Sequence, residues 1–294
     1  MTFLPRAALM GLDEIAVIAE RFIARGVTKV RLSGGEPLMR GGIVGLVERL
    51  GAQIGDGLDE LTLTTNATRL ADHAPALFAA GIRRVNVSLD SRDPDTFRFI
   101  TRTGDVAQVL GGIAAARGAG LTVKINMVAL AGLNEGEIPA MLEWCGANGM
   151  DLSLIETMPL GVIDEDRADR FVPLTRVFDT LAARHALVRD MHRSGGPARY
   201  WRTPWGTRLG LISPLTANFC DSCNRVRLTT EGKLHSCLGH EGAIDLKAAL
   251  RDGGVTALDV AIDTALATKP RRHDFSVAPG APPATARHMS VTGG

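Results

Sequence analysis

The chain has 294 residues, 45% of them hydrophobic, and balances 33 Lys and Arg against 32 Asp and Glu for a formal net charge of +1. Such a length and apolar content suffice for a full core, as one large α/β domain or a domain with an appendage, while the near-neutral charge gives bulk electrostatics no hold on nucleic acid or a membrane surface. No apolar run approaches the roughly 18 residues of a membrane span and no leader pattern opens the chain, so a cytoplasmic protein with reduced thiols and no nucleic-acid or membrane partner is expected.

Helix-period apolar residues run through LDEIAVIAERFIARG, stop at Gly26, and give way to the strand VTKVRLS. Strand-like runs follow at LTLTTN, RVNVSLD, LTVKINMVAL and LSLIETM, each separated by enough residues for a helix. This βα rhythm from Leu12 to Glu156 predicts parallel strands with right-handed crossovers. Alternation then sorts the side chains into faces. Lys29, Arg31 and Ser33 oppose Val30 and Leu32; Thr62, Thr64 and Asn66 oppose Leu61 and Leu63. Arg84, Asn86, Ser88 and Asp90 oppose Val85, Val87 and Leu89, and Lys124 and Asn126 oppose Val123, Ile125 and Met127. A doubly wound sheet would read as continuously apolar strands, so the polar faces predict an open or partial barrel around a polar ligand. An antiparallel sheet with one wet face is the competing reading, opposed by the helical segments between strands.

The first strand ends in Ser33-Gly34-Gly35-Glu36-Pro37. Two glycines there let backbone approach a ligand at the carboxyl end of a parallel strand, or merely let the chain turn. Toward the end, Cys220, Cys223 and Cys237 make a Cys-x2-Cys-x13-Cys run that gathers three soft thiolates. A structural zinc takes four ligands, and His240, at Cys-x2-His spacing after Cys237, would complete such a set. A cubane iron–sulfur cluster held by three thiolates instead leaves one iron free. Arg225 and Arg227 follow directly, as a phosphate-binding pair or a solvated surface pair. Cys145, the remaining cysteine, shares a helix with Met141, Leu142 and Trp144 and is expected to pack as a small apolar residue. From about Arg271 the Ala-, Pro- and Gly-rich tail reads as extended or mobile.

Taken together, RLSGGEPLMR, TTNATRL, NVSLDS, KINMV, the ETMPLG segment, CDSCNRVRLTTEGKLHSCL and the terminal Gly293-Gly294 resemble the GTP 3′,8-cyclase family of molybdenum cofactor biosynthesis, a branch of the radical S-adenosylmethionine enzymes. The similarity runs in order from Phe3 to Gly294. It implies an α/β fold, a partial (β/α)6-type radical SAM barrel lacking its first strand and cluster loop, with a C-terminal cluster-binding extension. Residues 1–197 would form the barrel core and 198–294 the iron–sulfur and GTP-binding region with its Gly-Gly tail.

The implied reaction converts GTP to (8S)-3′,8-cyclo-7,8-dihydroguanosine 5′-triphosphate. The resemblance assigns Gly34, Gly35 and Glu36 to the methionine end of S-adenosylmethionine and Ser88 and Met158 to the lining of the same cofactor site. It assigns Arg31, Thr64, Lys124, Arg225 and Arg227 to GTP, and Cys220, Cys223 and Cys237 to a [4Fe–4S] cluster whose open iron faces guanine. Arg31, Lys124, Gly293 and Gly294 would assist the chemistry, the glycines by inserting into the site from a tail whose twenty or so extended residues reach roughly 65 Å. An electron donor and a cyclic pyranopterin synthase that takes the product are the implied partners, and a homodimer is compatible. Two departures stand out. The family's Cys-x3-Cys-x2-Cys loop for a further [4Fe–4S] cluster has no counterpart here, so the chain as written is expected not to perform radical chemistry; a silent GTP-binding fragment or a zinc-bearing binding module are the other readings. Ser153 stands where the family usually has arginine, a loss expected to weaken triphosphate binding unless a neighbour such as Arg84 compensates.

Overall fold

The structure is a computed structural model that describes residues 8–161, 167–192, 196–273, 275 and 282–292. Its core is an eight-stranded sheet. Helix α1 (Leu12–Ile23) leads into β1 (Lys29–Leu32), followed by α2 (Ile43–Gly51), β2 (Glu60–Thr65), α3 (Leu70–Ala79) and β3 (Arg84–Ser88). Next come α4 (Pro94–Thr101), α5 (Val106–Gly118), β4 (Thr122–Val128), α6 (Ile138–Ala147) and β5 (Asp151–Ile155). All five strands expected from alternation are present. Each pairs in parallel with its neighbour, from β1 through β5, as repeated βα units require.

The sheet then departs from the βα rhythm. After α7 (Arg167–Arg170) and α8 (Leu174–Ala182), β6 (Val188–Asp190), β7 (Arg199–Arg202) and β8 (Arg208–Ile212) follow in close succession. Strand β8 adds parallel to β5, while β7 and β6 extend the edge antiparallel, for the order β1-β2-β3-β4-β5-β8-β7-β6. The turn signal was available in Thr203-Pro204-Trp205-Gly206-Thr207, which joins β7 to β8. One continuous sheet therefore crosses position 197/198, with β6 before it and β7 and β8 after it.

The apolar face of each strand is sealed by helices: Leu61, Leu63, Val85, Val87, Val123, Ile125, Met127, Leu152, Leu154, Leu209 and Leu211 are all buried in one core. Cys145 is fully buried on α6 in that core, and its thiol is pushed up to about 12 by burial, so it behaves as the expected inert packing residue. A smaller sheet, β11-β10-β9, is built from β9 (Arg227–Leu228), β10 (Lys233–His235) and β11 (Ile244–Asp245). It packs with α9 (Leu246–Ala267) and α1 around Met10, Ile18, Phe22, Leu234, Leu246, Leu258 and Ile262. Helix α1 thus has two buried faces, since Ala16 and Ile23 belong to the main core. Ion pairs Arg21–Asp259, Arg25–Asp263 and Arg251–Glu14, at 2.5, 2.7 and 2.6 Å, tie α1 to α9 along its exposed flank.

The tail corrects the compositional reading. Residues 282–292 are docked, ending in α10 (Met289–Thr292), and Leu160 and Thr285 form an isolated β-bridge. Gly293 and Gly294 lie outside the described residues. Among the described residues no helix is long and apolar enough to cross a membrane.

Helix α2 meets the end of α3 so closely that a Cβ on Gly51 would stand 1.9 Å from the Ala80 carbonyl oxygen. Gly51→Ala is expected to cost about 1–3 kcal/mol in urea unfolding, as overpacking against backbone does. Gly45→Ala on the same helix meets open space and is expected to be neutral or to stabilise by up to about 1 kcal/mol. Equal midpoints for the two variants would contradict this packing.

Candidate active site

The polar faces of the parallel strands converge because the sheet is rolled. Arg31 on β1 feels the Tyr200 phenol on β7, although five strands separate them in sheet order. Arg31 keeps solvent access through the open interior while protein surrounds its guanidinium. That burial, with Arg84 and Arg225 nearby, lowers its pKa. Lys124, 6% exposed on β4, is pushed down to about 7 by burial and by the adjacent Arg84 and Arg31. Arg227 enters from β9 and is lowered to about 10 by burial and by Arg225. Glu60 supplies the nearest counter-charge: Arg84 donates to its Oε1 from Nη2 at 2.5 Å and from Nε at 3.0 Å, and Lys29 lies 3.5 Å from Oε2. Arg84, named from sequence only as a stand-in for a missing cation, is therefore already ion-paired.

An uncharged belt lies one layer nearer the carboxyl ends of the strands. Register places Thr64, Asn86, Lys124 and Asp151 in one row, and Ser88, Asn126, Ser153, Gly210 and Tyr200 in the next. Thr64 Oγ1, Asn126 Oδ1 and Ser153 Oγ are buried without a hydrogen-bond partner, as is Ser213 Oγ just beyond β8. Buried polar atoms are nearly always paired, so the three orphans on the polar faces of β2, β4 and β5 mark the place of a polar ligand. Asn126 was not singled out as a site residue from sequence; its place on the polar face of its strand was the signal available.

At the carboxyl end of β1, Gly34 has φ +136°, a conformation that L side chains rarely adopt, and the space above Gly35 is open. Glu36 fastens this loop to the end of β2. Its Oε1 accepts from Leu38 N at 3.0 Å and Thr65 Oγ1 at 2.8 Å, and its Oε2 from Asn66 N at 2.6 Å. A carboxylate offers about four lone-pair sites, so Oε2 retains capacity for an ammonium group. Ser88 is exposed toward the same end, and Met158, past β5, is half-buried. Nearby, Asp90 is raised to about 6 by burial while accepting from Val128 N at 2.7 Å.

The cysteines rim this interior. Buried Glu156 anchors their segment, accepting from Leu215 N at 3.1 Å, Thr216 N at 3.2 Å and the Thr216 hydroxyl. Cys220 opens a short 3-10 turn, Cys223 follows it, and Cys237 comes two residues after β10. Lys269 sutures the two cysteine-bearing segments: its Nζ donates to Arg225 O at 3.0 Å and Ser236 O at 2.5 Å. This lysine had no assigned role in the sequence, since nothing local distinguishes a residue that follows a helix. Burial alone would raise the Cys223 thiol, but the Arg225 backbone and guanidinium together with Lys269 outweigh it and hold the thiol below its ordinary range.

Among the described residues no three His, Cys, Asp or Glu side chains stand close enough to share one ion. Zinc would need its sulfurs about 3.8 Å apart, from Zn–S bonds of about 2.3 Å in a tetrahedron. A cubane spreads its thiolates over separate irons and asks for a wider triangle. His240 Nε2 meets Arg272 O at 3.0 Å. Free, half-buried thiols with cations beside them suit an anionic cluster in their donor chemistry, and Arg227 feels both Cys223 and Cys237.

Comparison with known proteins finds two families along the chain. The Radical SAM superfamily matches residues 2–145 and Molybdenum Cofactor Synthesis C matches residues 150–275. A GTP 3′,8-cyclase of Erythrobacter litoralis (strain HTCC2594) is 54% identical over 296 residues, covering 100% of this chain and 89% of the relative. One from Rhizobium etli (strain CIAT 652) is 53% identical over 100% of this chain and 85% of its own length. In fold, the structure of Streptococcus suis SuiB bound to S-adenosylmethionine aligns with TM-score 0.55 at 15% identity, over 79% of this chain and 54% of that one.

A cation of pKa about 7 reports on any anion that enters beside it. At pH 8 Lys124 is mostly neutral, and a bound polyanion moves its pKa back toward its ordinary value of about 10.4, so binding takes up a proton. Calorimetry of inorganic tripolyphosphate in buffers of different ionisation enthalpy is expected to show that uptake. Lys124→Arg, charged throughout, should abolish it; uptake unchanged in the variant would rule out this group.

Proposed function

Because the chain belongs to the GTP 3′,8-cyclase family of radical S-adenosylmethionine proteins, we propose that its rolled sheet holds GTP for conversion to the 3′,8-cyclised dihydroguanosine triphosphate. The observation that carries this reading is the pairing of a crowded cationic layer with a belt of orphaned neutral polar atoms. A triphosphate answers the first and a nucleoside the second. In this proposal Arg31, Lys124, Arg225 and Arg227 neutralise the triphosphate, the arginines by bidentate forks and Lys124 as a point charge. Thr64, Asn126 and Ser153 hydrogen-bond the nucleoside above them, orienting its ribose toward the carboxyl ends of the strands.

The loop Gly34-Gly35-Glu36, with Ser88 and Met158, receives S-adenosylmethionine, Glu36 Oε2 taking its ammonium group. S-adenosylmethionine bound there would supply the radical that removes a ribose hydrogen only with a reducing [4Fe–4S] cluster, for which this sequence holds no Cys-x3-Cys-x2-Cys ligands. Cys220, Cys223 and Cys237 would hold an iron–sulfur cluster beside the base, and Gly293 and Gly294 would enter the same space. Residues 1–197 on this reading carry the cofactor loop together with Arg31, Thr64, Lys124, Asn126 and Ser153 of the nucleotide site, and 198–294 deliver the thiolates and two arginines. What the protein contributes to the rate is largely position: reacting carbons held together, charge compensated, and water excluded from a walled interior.

Anaerobically reconstituted protein is expected to contain iron and sulfide in equal amounts and no stoichiometric zinc. Its GTP affinity, measured by calorimetry, should fall about 10- to 100-fold in Lys124→Ala or Arg227→Ala, the loss of one charge-assisted contact each. Stoichiometric zinc without iron would overturn the cluster assignment, and GTP binding indifferent to both substitutions would overturn the phosphate site.

A further inference from the structure

The docked tail is held by a small number of identifiable contacts. Ala284 N donates to Pro159 O at 2.8 Å, and Gly161 N to Thr285 O at 2.9 Å, which lays the tail beside the segment that follows β5 and carries Met158. His288 covers Gly161 so closely that a Cβ there would meet the imidazole at 2.7 Å. Between these contacts stands Arg287, its side chain 13% exposed. Its Nη1 donates to Glu241 Oε2 at 2.7 Å, and its Nη2 to Leu238 O at 3.2 Å and His240 O at 2.9 Å. Ala286 N completes the grip on Glu241 Oε1 at 2.7 Å.

Those carbonyls belong to the loop that leaves Cys237. Lys269 holds the carbonyl just before this cysteine and Arg287 holds two just after it, so Cys237 is bracketed by two cations, one from the turn after α9 and one from the tail. We infer that Arg287 is a positioning residue that couples docking of the C-terminal tail to the order of the Cys237 loop. The inference rests on reading Cys237 as a cluster ligand. A buried guanidinium is stable only with its partners in place, so either element ordered alone leaves charge or carbonyls unpaired. Arg287 also sets how far the end of the chain can travel. Gly293 lies six positions beyond it, a reach of at most about 20 Å. The reading that the terminal glycines enter the active site thereby acquires a fixed pivot, and the pivot sits on the cysteine loop.

The test uses the full chain, metal-free, as Arg287→Ala, Arg287→Lys and Lys269→Ala. Hydrogen exchange is followed over 157–161 and 282–292, and iodoacetamide alkylation of Cys237 is followed against Cys220. Arg287→Ala is expected to speed exchange in both segments at least tenfold and to raise the Cys237-to-Cys220 alkylation ratio severalfold, with partial rescue by lysine. Lys269→Ala should raise the alkylation ratio and leave tail exchange unchanged. Faster tail exchange in Arg287→Ala with an unchanged Cys237 ratio would overturn the coupling, as would no change in either. If the wild-type chain binds no iron, the cluster reading fails separately, since neither readout depends on metal.

Discussion

Cations of one sign are gathered inside a rolled sheet, and their mutual repulsion is the constraint from which much of the architecture follows. Arg31, Arg84, Lys124, Arg225 and Arg227 come from four strands and one loop, with Glu60 and Asp151 as the carboxylates that offset them. The lowered pKa values at Arg31, Lys124 and Arg227 come first from burial and then from that crowding. Such an interior remains folded only if a rigid frame holds the charges in place. The frame is the apolar face of the parallel strands, buried against helices from β2 to β5 and partly buried at β1. Alternation along each strand therefore does two jobs at once: every second residue contributes to the frame, and the residues between contribute to the strained interior.

Layering within the interior gives the charge its direction. The charged rows lie toward the amino ends of the strands, the neutral belt of Asn126 and Ser153 lies above them, and the glycine loop closes the carboxyl end. A ligand with an anionic end and a neutral polar end can satisfy both rows in one orientation only. Ser153 belongs to this logic: a neutral hydroxyl there keeps the belt uncharged, whereas Arg84, engaged by Glu60, is anchored two rows below.

Much of this was legible from strand periodicity. The five parallel strands, their polar faces, and the packing role of Cys145 follow from the two-residue repeat and from composition, because local chain geometry dictates them. The antiparallel hairpin β6–β7 was not read, although Pro204 and Gly206 signal the following turn, because short strands on a sheet edge carry little pattern. Lys269, Glu156 and Arg287 were invisible for a different reason. Each acts on backbone carbonyls, amides or a hydroxyl far away in the chain, and such partners leave no side-chain signature. The tail misled by composition: a Pro- and Ala-rich segment is docked by one guanidinium and a few amides, contacts too sparse for a hydrophobicity reading to register.

The two-faced helix α1 has a consequence for biosynthesis. Its second face is completed by α9, and the contacts Arg21–Asp259 and Arg25–Asp263 join residues 238 positions apart. Contacts of such sequence separation form late, and during synthesis they wait until nearly all of the chain has left the ribosome. The parallel strands can begin to assemble long before, but the small sheet that carries Arg227 and leads to Cys237 has no wall to lean on until α9 arrives. Cluster insertion would then follow closure of the scaffold rather than guide it, and because Cys220, Cys223 and Cys237 are made just before α9, the interval between their synthesis and that closure is short.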